Sequence, residues 1–195
     1  MSLKYEVIRM QKITLVTGNK AKLINTKNKL EPFGIEVDNI KMETIEIQAD
    51  TAEEVAAYSA KYASDKLQKN ILKIDSGLYV DALNGFPGPY THYCEDTIGN
   101  KGLLKMLRGE KNRRAEFREA LAYCEYGKDP VVFSSITKGT IALRESGKYG
   151  WSWDFIFIPD GQKVTLGHFD DKPRFDLWDD SAYIELGKYL QNKKD

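Results

Sequence analysis

A mixed α/β fold is what this sequence predicts, and three observations carry the prediction. β-Branched apolar runs alternate with amphipathic stretches through the first half of the chain. A block of alternating apolar and polar residues then follows, read as strands joined by turns. With 195 residues, 42% hydrophobic and 30% charged, the chain is long enough for one domain with a real core, of one or two lobes, and too apolar for disorder.

The elements follow in order. "KITLVTGN" is a buried strand that leaves into a turn at Gly18 and Asn19. "KAKLINTKNKL" reads as a helix with Leu23, Ile24, Lys27 and Leu30 on one face, stopped by Pro32 and Gly34. "GIEVDNIKM" is a second strand. Residues 51–69 form a helix opened by Thr51 and Glu54 at capping-box spacing, with Val55, Tyr58, Tyr62 and Leu67 as its apolar stripe. "ILKID" and "LYVDAL" read as strands before a Gly/Pro loop. "GNKGLLKMLRG" is a helix closed by Gly109. From "RAEFREALAYCEY" to "VVFSSITKGTIALRE" the alternation gives strands with turns at Gly127-Lys128-Asp129 and Gly139. "WDFIFIP" is another strand, and "SAYIELGKYLQNKK" is the closing helix.

Lys plus Arg and Asp plus Glu balance at 29 each, so overall charge indicates neither a nucleic-acid nor a membrane partner. Cys94 and Cys124 lack CxxC spacing, and His92 and His168 lack ligand spacing. A structural zinc site, a disulfide framework and a Cys-His nucleophile are therefore poor readings, and both histidines read as structural. No apolar run approaches the roughly 18 residues of a membrane span. The start, "MSLKYEVIRMQK", lacks a secretory cleavage site, which makes the cytoplasm the expected compartment.

Four stretches carry chemistry. In "TGNKAK" a strand runs through Thr17, Gly18 and Asn19 into a helix whose first turn holds Lys22. A helix N-terminus with an adjacent ammonium suits a phosphate, although any strand-turn-helix junction can carry Gly-Asn for its turn. Glu46 in "ETIEIQ" and Asp75 at the end of "ILKID" are carboxylates that could converge on Mg²⁺, which prefers hard oxygen donors, or could each face water. In "GWSWDFIFIPDG", Trp151 and Trp153 could stack on a base or fill a core, with Asp154 beside them.

Together these stretches resemble the inosine/xanthosine triphosphate pyrophosphatases. "TGNKAKL" is similar to that family's T-G-N-x-x-K opening and "IEIQ" to its L-P-E-x-Q segment. "IDSGLYVDALNGFPGPY" is similar to its D-[ST]-G-L-x-V-x-A-L-x-G-x-P-G block, and "GWSWDFIFIPDG" to F-G-[YW]-D-P-x-F-x-P. The resemblance runs from about residue 12 to the final helix. It implies an elongated two-lobed α/β fold around a long mixed sheet with flanking helices, spanning residues 1–195 as one domain, with a nucleotide cleft between the lobes. It also implies a homodimer, and Mg²⁺-dependent hydrolysis of a nucleoside triphosphate to monophosphate and pyrophosphate.

On that resemblance Asp75 and Lys22 are the catalytic candidates, and Glu46 and Asp75 the metal ligands. Thr17, Gly18, Asn19, Lys22 and Ser76 would meet the phosphates; Trp151, Asp154, Lys172 and Arg174 would meet the base end. The chain also departs from the family pattern. Asn25 stands where a glutamate usually lies three residues after the lysine, and Ile74 where a second acid precedes Asp75. Ser152 replaces the glycine between the aromatics and Phe155 the proline after the aspartate. "KPRFDLWDD" replaces the E-K-N-x-x-S-H-R block, with Asp179 and Asp180 near its cationic end. Carboxylates only accept hydrogen bonds, so an altered base preference is expected from them. A non-catalytic nucleotide-binding or scaffolding protein is the alternative these departures leave open.

Overall fold

The computed structural model describes residues 11–45 and 47–193. The described strands are β1 (Gln11–Val16), β2 (Ile35–Ile40), β3 (Ile71–Val80), β4 (Pro87–Gly88), β5 (Arg114–Cys124), β6 (Val131–Ile141) and β7 (Phe157–Pro159). They form one mixed sheet in the order β2-β1-β3-β5-β6-β7, with β4 added to the far end of β3. β2 and β3 pair parallel to β1, while β3, β5, β6 and β7 run antiparallel in succession. The described helices are α1 (Lys20–Leu30), α2 (Ala52–Leu67), α3 (Thr91–Thr97), α4 (Gly99–Met106), α5 (Asp171–Phe175) and α6 (Ser181–Asn192).

Two apolar clusters sit at opposite ends of the long strands. One joins Ile13, Leu15, Leu72, Ile74, Leu121 and Tyr123 to Leu30 of α1 and to Tyr183, Leu186 and Leu190 of α6. The other joins Leu78, Val80, Ile141 and Phe157 to Leu103, Leu107, Trp153 and Leu166. On the opposite sheet face, Ala52, Ala56 and Ala60 of α2 lie against Ala120, Ala122 and Cys124 of β5. Methyl-sized side chains on both surfaces let this helix sit close to the sheet.

Several elements differ from the sequence expectation for identifiable reasons. The buried face of α2 is Ala52, Val55, Ala56, Ser59, Ala60, Ala63 and Ser64, whereas Tyr58 is exposed, because small residues and not the tyrosines fit beneath it. On α1 the buried residues are Thr26 and Leu30, and Ile24 faces outward. β3 is one strand through Gly77, not two. Gly139 lies within β6, where a Cβ would meet the Ile158 carbonyl at 2.4 Å, so the glycine marks a close crossing instead of a turn. Most of "WDFI" is a 3₁₀ turn, and only Phe157–Pro159 extends as strand. His92 and His168 are both exposed, paired locally with Asp96 and Thr165.

Candidate active site

The middle of β3 is open on one edge. Its pairing with β1 ends at Leu15↔Leu72, and its pairing with β4 begins at Leu78↔Gly88. Among the described residues no strand covers Lys73–Gly77 on that side. The opening is maintained by the block that follows. Gly77 passes so near β4 that a Cβ would stand 2.5 Å from the Gly88 carbonyl oxygen. Gly88 adopts a left-handed φ of 55°, and the Phe86–Pro87 bond is cis. The Thr91 hydroxyl donates to the Gly88 carbonyl at 2.6 Å and accepts the Leu78 N–H at 2.7 Å. This glycine-proline stretch therefore ties β3 to the N-terminus of α3.

The β1–α1 junction meets the same opening. The Thr17 hydroxyl accepts the Asn19 N–H at 3.0 Å. Asn19 caps α1, its Oδ1 accepting from Ala21 N–H at 2.9 Å and Lys22 N–H at 3.1 Å, which leaves its Nδ2 as a donor. Lys22, in the first turn, reaches 52 residues along the chain to donate from Nζ to the Ile74 carbonyl at 3.2 Å. Gly18 has no left-handed φ, and a Cβ there would make an ordinary 3.6 Å contact with Lys41. Neither backbone conformation nor packing within the chain demands glycine at that point.

Successive β3 side chains alternate between the faces. Asp75 pairs with Ala120, on the α2 side; Ser76 pairs with Glu119, on the α1/α6 side. Asp75 and Ser76 are adjacent in sequence but serve opposite faces. Lys73 shares the Asp75 side, and its Nζ donates to Thr44 at 3.0 Å. Arg118, cross-strand from Gly77, lies 4.3 Å over the Tyr79 ring and pairs with Glu116 at 2.7 Å. Glu46 lies outside the described residues. The segment after it, Ile47–Asp50, lines a shallow open depression with Glu54 and Tyr90.

A second group gathers Trp151, Asp154 and Arg174. The Asp154 carboxylate accepts the Trp151 N–H at 3.1 Å and stands 3.5 Å from Arg174 Nε. Burial raises the Asp154 carboxyl above the ordinary range, against the pull of the Trp151 N–H and of Arg174. Arg174 is only 2% exposed; it donates to Asp171 at 2.8 Å and lies 5.3 Å from the centroid of the half-exposed Trp151 ring. Among the described residues its buried Nη1 has no hydrogen-bond partner. A Cβ at Gly150 would fall 2.2 Å from the Asp154 carboxylate and 2.7 Å from Arg174, so the loop can cross there only as glycine. Ser152 sits at φ 50°, a left-handed conformation that explains why the resembling pattern carries glycine at this point. Its carbonyl accepts Asn100 Nδ2 at 2.8 Å. Lys172 is on α5 and exposed, away from this buried cluster in character.

Asp179 and Asp180 are occupied within the fold. Asp179 accepts from Ser181 N–H at 2.9 Å, Ser181 Oγ at 3.1 Å and Ile136 N–H at 3.2 Å. Burial pushes its carboxyl up, but these hydrogen bonds outweigh burial and hold it low. Asp180 pairs with Lys29 at 2.9 Å, and Trp178 stacks parallel to Phe157. Asp179 thus helps to fix the start of α6, and Asp180 ties that start to α1 through Lys29.

One acid escaped sequence reading. Glu119, in the middle of β5, pairs across the sheet with Ser76 on the α1/α6 face and is partly buried. Burial raises its carboxyl, against the opposing pull of Lys22, Tyr183, Lys29 and Ser76, Lys22 most strongly. The "REALAY" alternation gave no signal for it, because a charged residue in such a run ordinarily faces water.

The family model for the Ham1 family matches residues 13–175. A protein of Methanopyrus kandleri named dITP/XTP pyrophosphatase is 46% identical over 155 residues, 80% of this chain and 82% of that one. A protein of the same name from Methanosarcina acetivorans is 44% identical over 162 residues, 83% of this chain and 87% of its own. The solved structure of a HAM1 protein from Coxiella burnetii superposes with a TM-score of 0.82 at 25% identity, covering 94% of this chain and 100% of that one.

Proposed function

The chain belongs to the Ham1 family, and on that premise we propose that it is a nucleoside triphosphate pyrophosphatase. Its substrate is a noncanonical purine nucleotide of the deoxyinosine or xanthosine type, and its products are the monophosphate and pyrophosphate. Relatives at 46% and 44% identity carry the name dITP/XTP pyrophosphatase. The structural observation that carries the reading is the junction where Lys22 of α1 reaches the open edge of β3 at Ile74, one residue from Asp75.

The chain's own groups divide the work. The Asn19 amide and the Lys22 ammonium meet phosphate oxygens, and the open backbone at Gly18 lets them approach closely. Asp75 orients the attacking water. Trp151 offers a half-exposed face to the base, and Arg174 Nη1, a buried donor with no partner among the described residues, suits the keto oxygen that distinguishes a deaminated purine. Thr17 acts indirectly, by fixing the Asn19 backbone.

Mg²⁺ fits this donor set. Asp75 is a hard oxygen ligand beside a phosphate-binding junction, and Mg²⁺ is commonly held by one or two carboxylates plus substrate phosphates. Asp75, with Glu46, would hold it, and the ion would neutralise charge on the transferring phosphoryl group. Homodimerisation and a cytoplasmic setting belong to the same proposal; no described helix is long and apolar enough to cross a membrane. The test is product analysis with a panel of nucleoside triphosphates and Mg²⁺. Pyrophosphate and monophosphate released fastest from inosine or xanthosine nucleotides support the reading. Binding without turnover would instead identify a non-catalytic nucleotide-binding protein.

A further inference from the structure

Trp151 projects from a bend between two left-handed residues. Gly150 has φ 79° and Ser152 φ 50°, while Trp151 itself is extended at φ −150° and ψ 160°. Two residues on, Trp153 is buried in the apolar cluster that contains Leu103, Leu107 and Ile156. Ser152 is thus the point at which the chain passes from an outward tryptophan to an inward one. A serine keeps a left-handed conformation only where its surroundings fix it, because its Cβ crowds the backbone there.

The fixing contacts come from both sides of the bend. Within the turn, the Trp151 N–H donates to the Asp154 carboxylate at 3.1 Å. From 52 residues away in sequence, Asn100 Nδ2 donates to the Ser152 carbonyl at 2.8 Å. Asn100 stands in the first turn of α4, and Leu103 of that helix is fully buried in the cluster that holds Trp153. The helix is therefore an anchored support for the contact. The same Nδ2 also donates to Glu145 Oε1 at 2.8 Å, in the loop after β6. Only an amide nitrogen suits two acceptors at that distance, which sets the orientation of the side chain. An aspartate of the same shape would turn a carboxylate towards both oxygens.

We propose that Asn100 is a positioning residue for Trp151: from α4 it clamps the Ser152 carbonyl and so fixes the direction in which the indole face meets the purine base. Stacking depends on a ring presented in a set orientation, and a support that holds the orientation beforehand spares the substrate that ordering cost. Asn100 does not touch the substrate. Its contribution is to the placement of a group that does, and this assignment rests on the pyrophosphatase reading above.

Asn100→Asp, Asn100→Asp/Glu145→Gln and wild type separate this role from a merely structural one. Asn100→Asp is expected to raise KM for inosine triphosphate about tenfold with kcat within about threefold, the size of effect that one lost hydrogen bond carries. Inorganic tripolyphosphate has the phosphates and no base, so it should inhibit all three proteins with constants within about twofold of one another. The double variant removes the opposed carboxylates, and its melting temperature should return to within about 2 °C of wild type. Its KM should stay high, because Ser152 still lacks its donor. Acrylamide quenching of Trp151, read as the difference between each protein and its Trp151→Phe counterpart, should rise up to about twofold in both variants, since the ring is 48% exposed at the outset. Unchanged KM, a KM that recovers with the melting temperature, an equal loss of tripolyphosphate inhibition, or unaltered quenching would each overturn the assignment. A wild-type protein without pyrophosphatase activity would refute the functional reading, while the quenching would still decide whether Asn100 holds Trp151.

Discussion

Gly77→Ala tests how the open edge of β3 is built. The added Cβ would stand 2.5 Å from the Gly88 carbonyl oxygen and 2.9 Å from the Tyr79 ring, against a practical lower limit of 3.0 Å. Something must move by at least about half an ångström. The ring can rotate, but Gly88 is backbone, paired to Leu78 and held by the Thr91 hydroxyl at 2.6 Å. Forcing an extra methyl into such a site costs about 1–3 kcal/mol, and each strained hydrogen bond about 1 kcal/mol more. A loss of about 3 kcal/mol is expected, lowering the melting temperature by roughly 6–12 °C in a chain of this size. Activity should fall about 100-fold, since Asp75 lies two residues away and a 1 Å displacement of a reacting group has that effect. Gly34→Ala is the control: its φ is +67° but nothing lies within 4 Å, so only the backbone penalty of about 1–2 kcal/mol applies. Differential scanning calorimetry and pyrophosphate release measure both effects. Gly77→Ala melting at or above Gly34→Ala, with wild-type turnover, would show that the Gly77–Gly88 approach does not hold the edge open.

Other outcomes follow from the base end and from the buried acids. Arg174→Met leaves the Asp154 carboxylate buried without its cation, costing about 3–5 kcal/mol in denaturant titration, and raises KM for the nucleotide; wild-type stability would contradict the ion pair's role. Ser152→Gly removes a left-handed non-glycine residue and should raise stability by about 1 kcal/mol without loss of turnover, whereas a lower melting temperature would oppose it. Burial holds the Glu119 and Asp154 carboxyls above the ordinary range, so the native state keeps protons that the unfolded chain has released. Stability should therefore fall as pH rises through that window, and Glu119→Gln should gain on wild type as it does. Urea midpoints from about pH 4 to 7, where carboxylates titrate, measure this; a constant or shrinking gain would reverse the sign.

Local signals made much of the fold legible. Thr51 and Glu54 located the start of α2, and both halves of the capping box are formed. Asn19 likewise marked α1. What the sequence concealed depends on partners distant in the chain. The buried face of α2 is set by the alanines of β5 beneath it, so its tyrosines misled. Gly77 and Gly139 resembled breaks because a glycine required by a neighbouring strand looks the same as one required by a turn. Motif and spacing singled out Lys22, Asp75, Trp151, Asp154 and Arg174, and the structure brings Lys22 to Ile74, next to Asp75, and gathers the other three together. Glu119 was not singled out, because only the sheet register brings β5 under α1 and α6. Register likewise hid that Asp179 accepts from the Ile136 and Ser181 N–H groups.

On the proposed function, the Lys22–Asp75 edge of β3 cleaves a nucleoside triphosphate between its α and β phosphates. Purified wild type, Asp75→Asn and Lys22→Met, incubated with inosine triphosphate and Mg²⁺, can be followed by phosphorus NMR. Wild type should give pyrophosphate and inosine monophosphate, and both variants should be at least about 100-fold slower, a loss of about 2.7 kcal/mol in transition-state stabilisation. Wild-type rates in Asp75→Asn, or release of orthophosphate and the diphosphate instead, would contradict it.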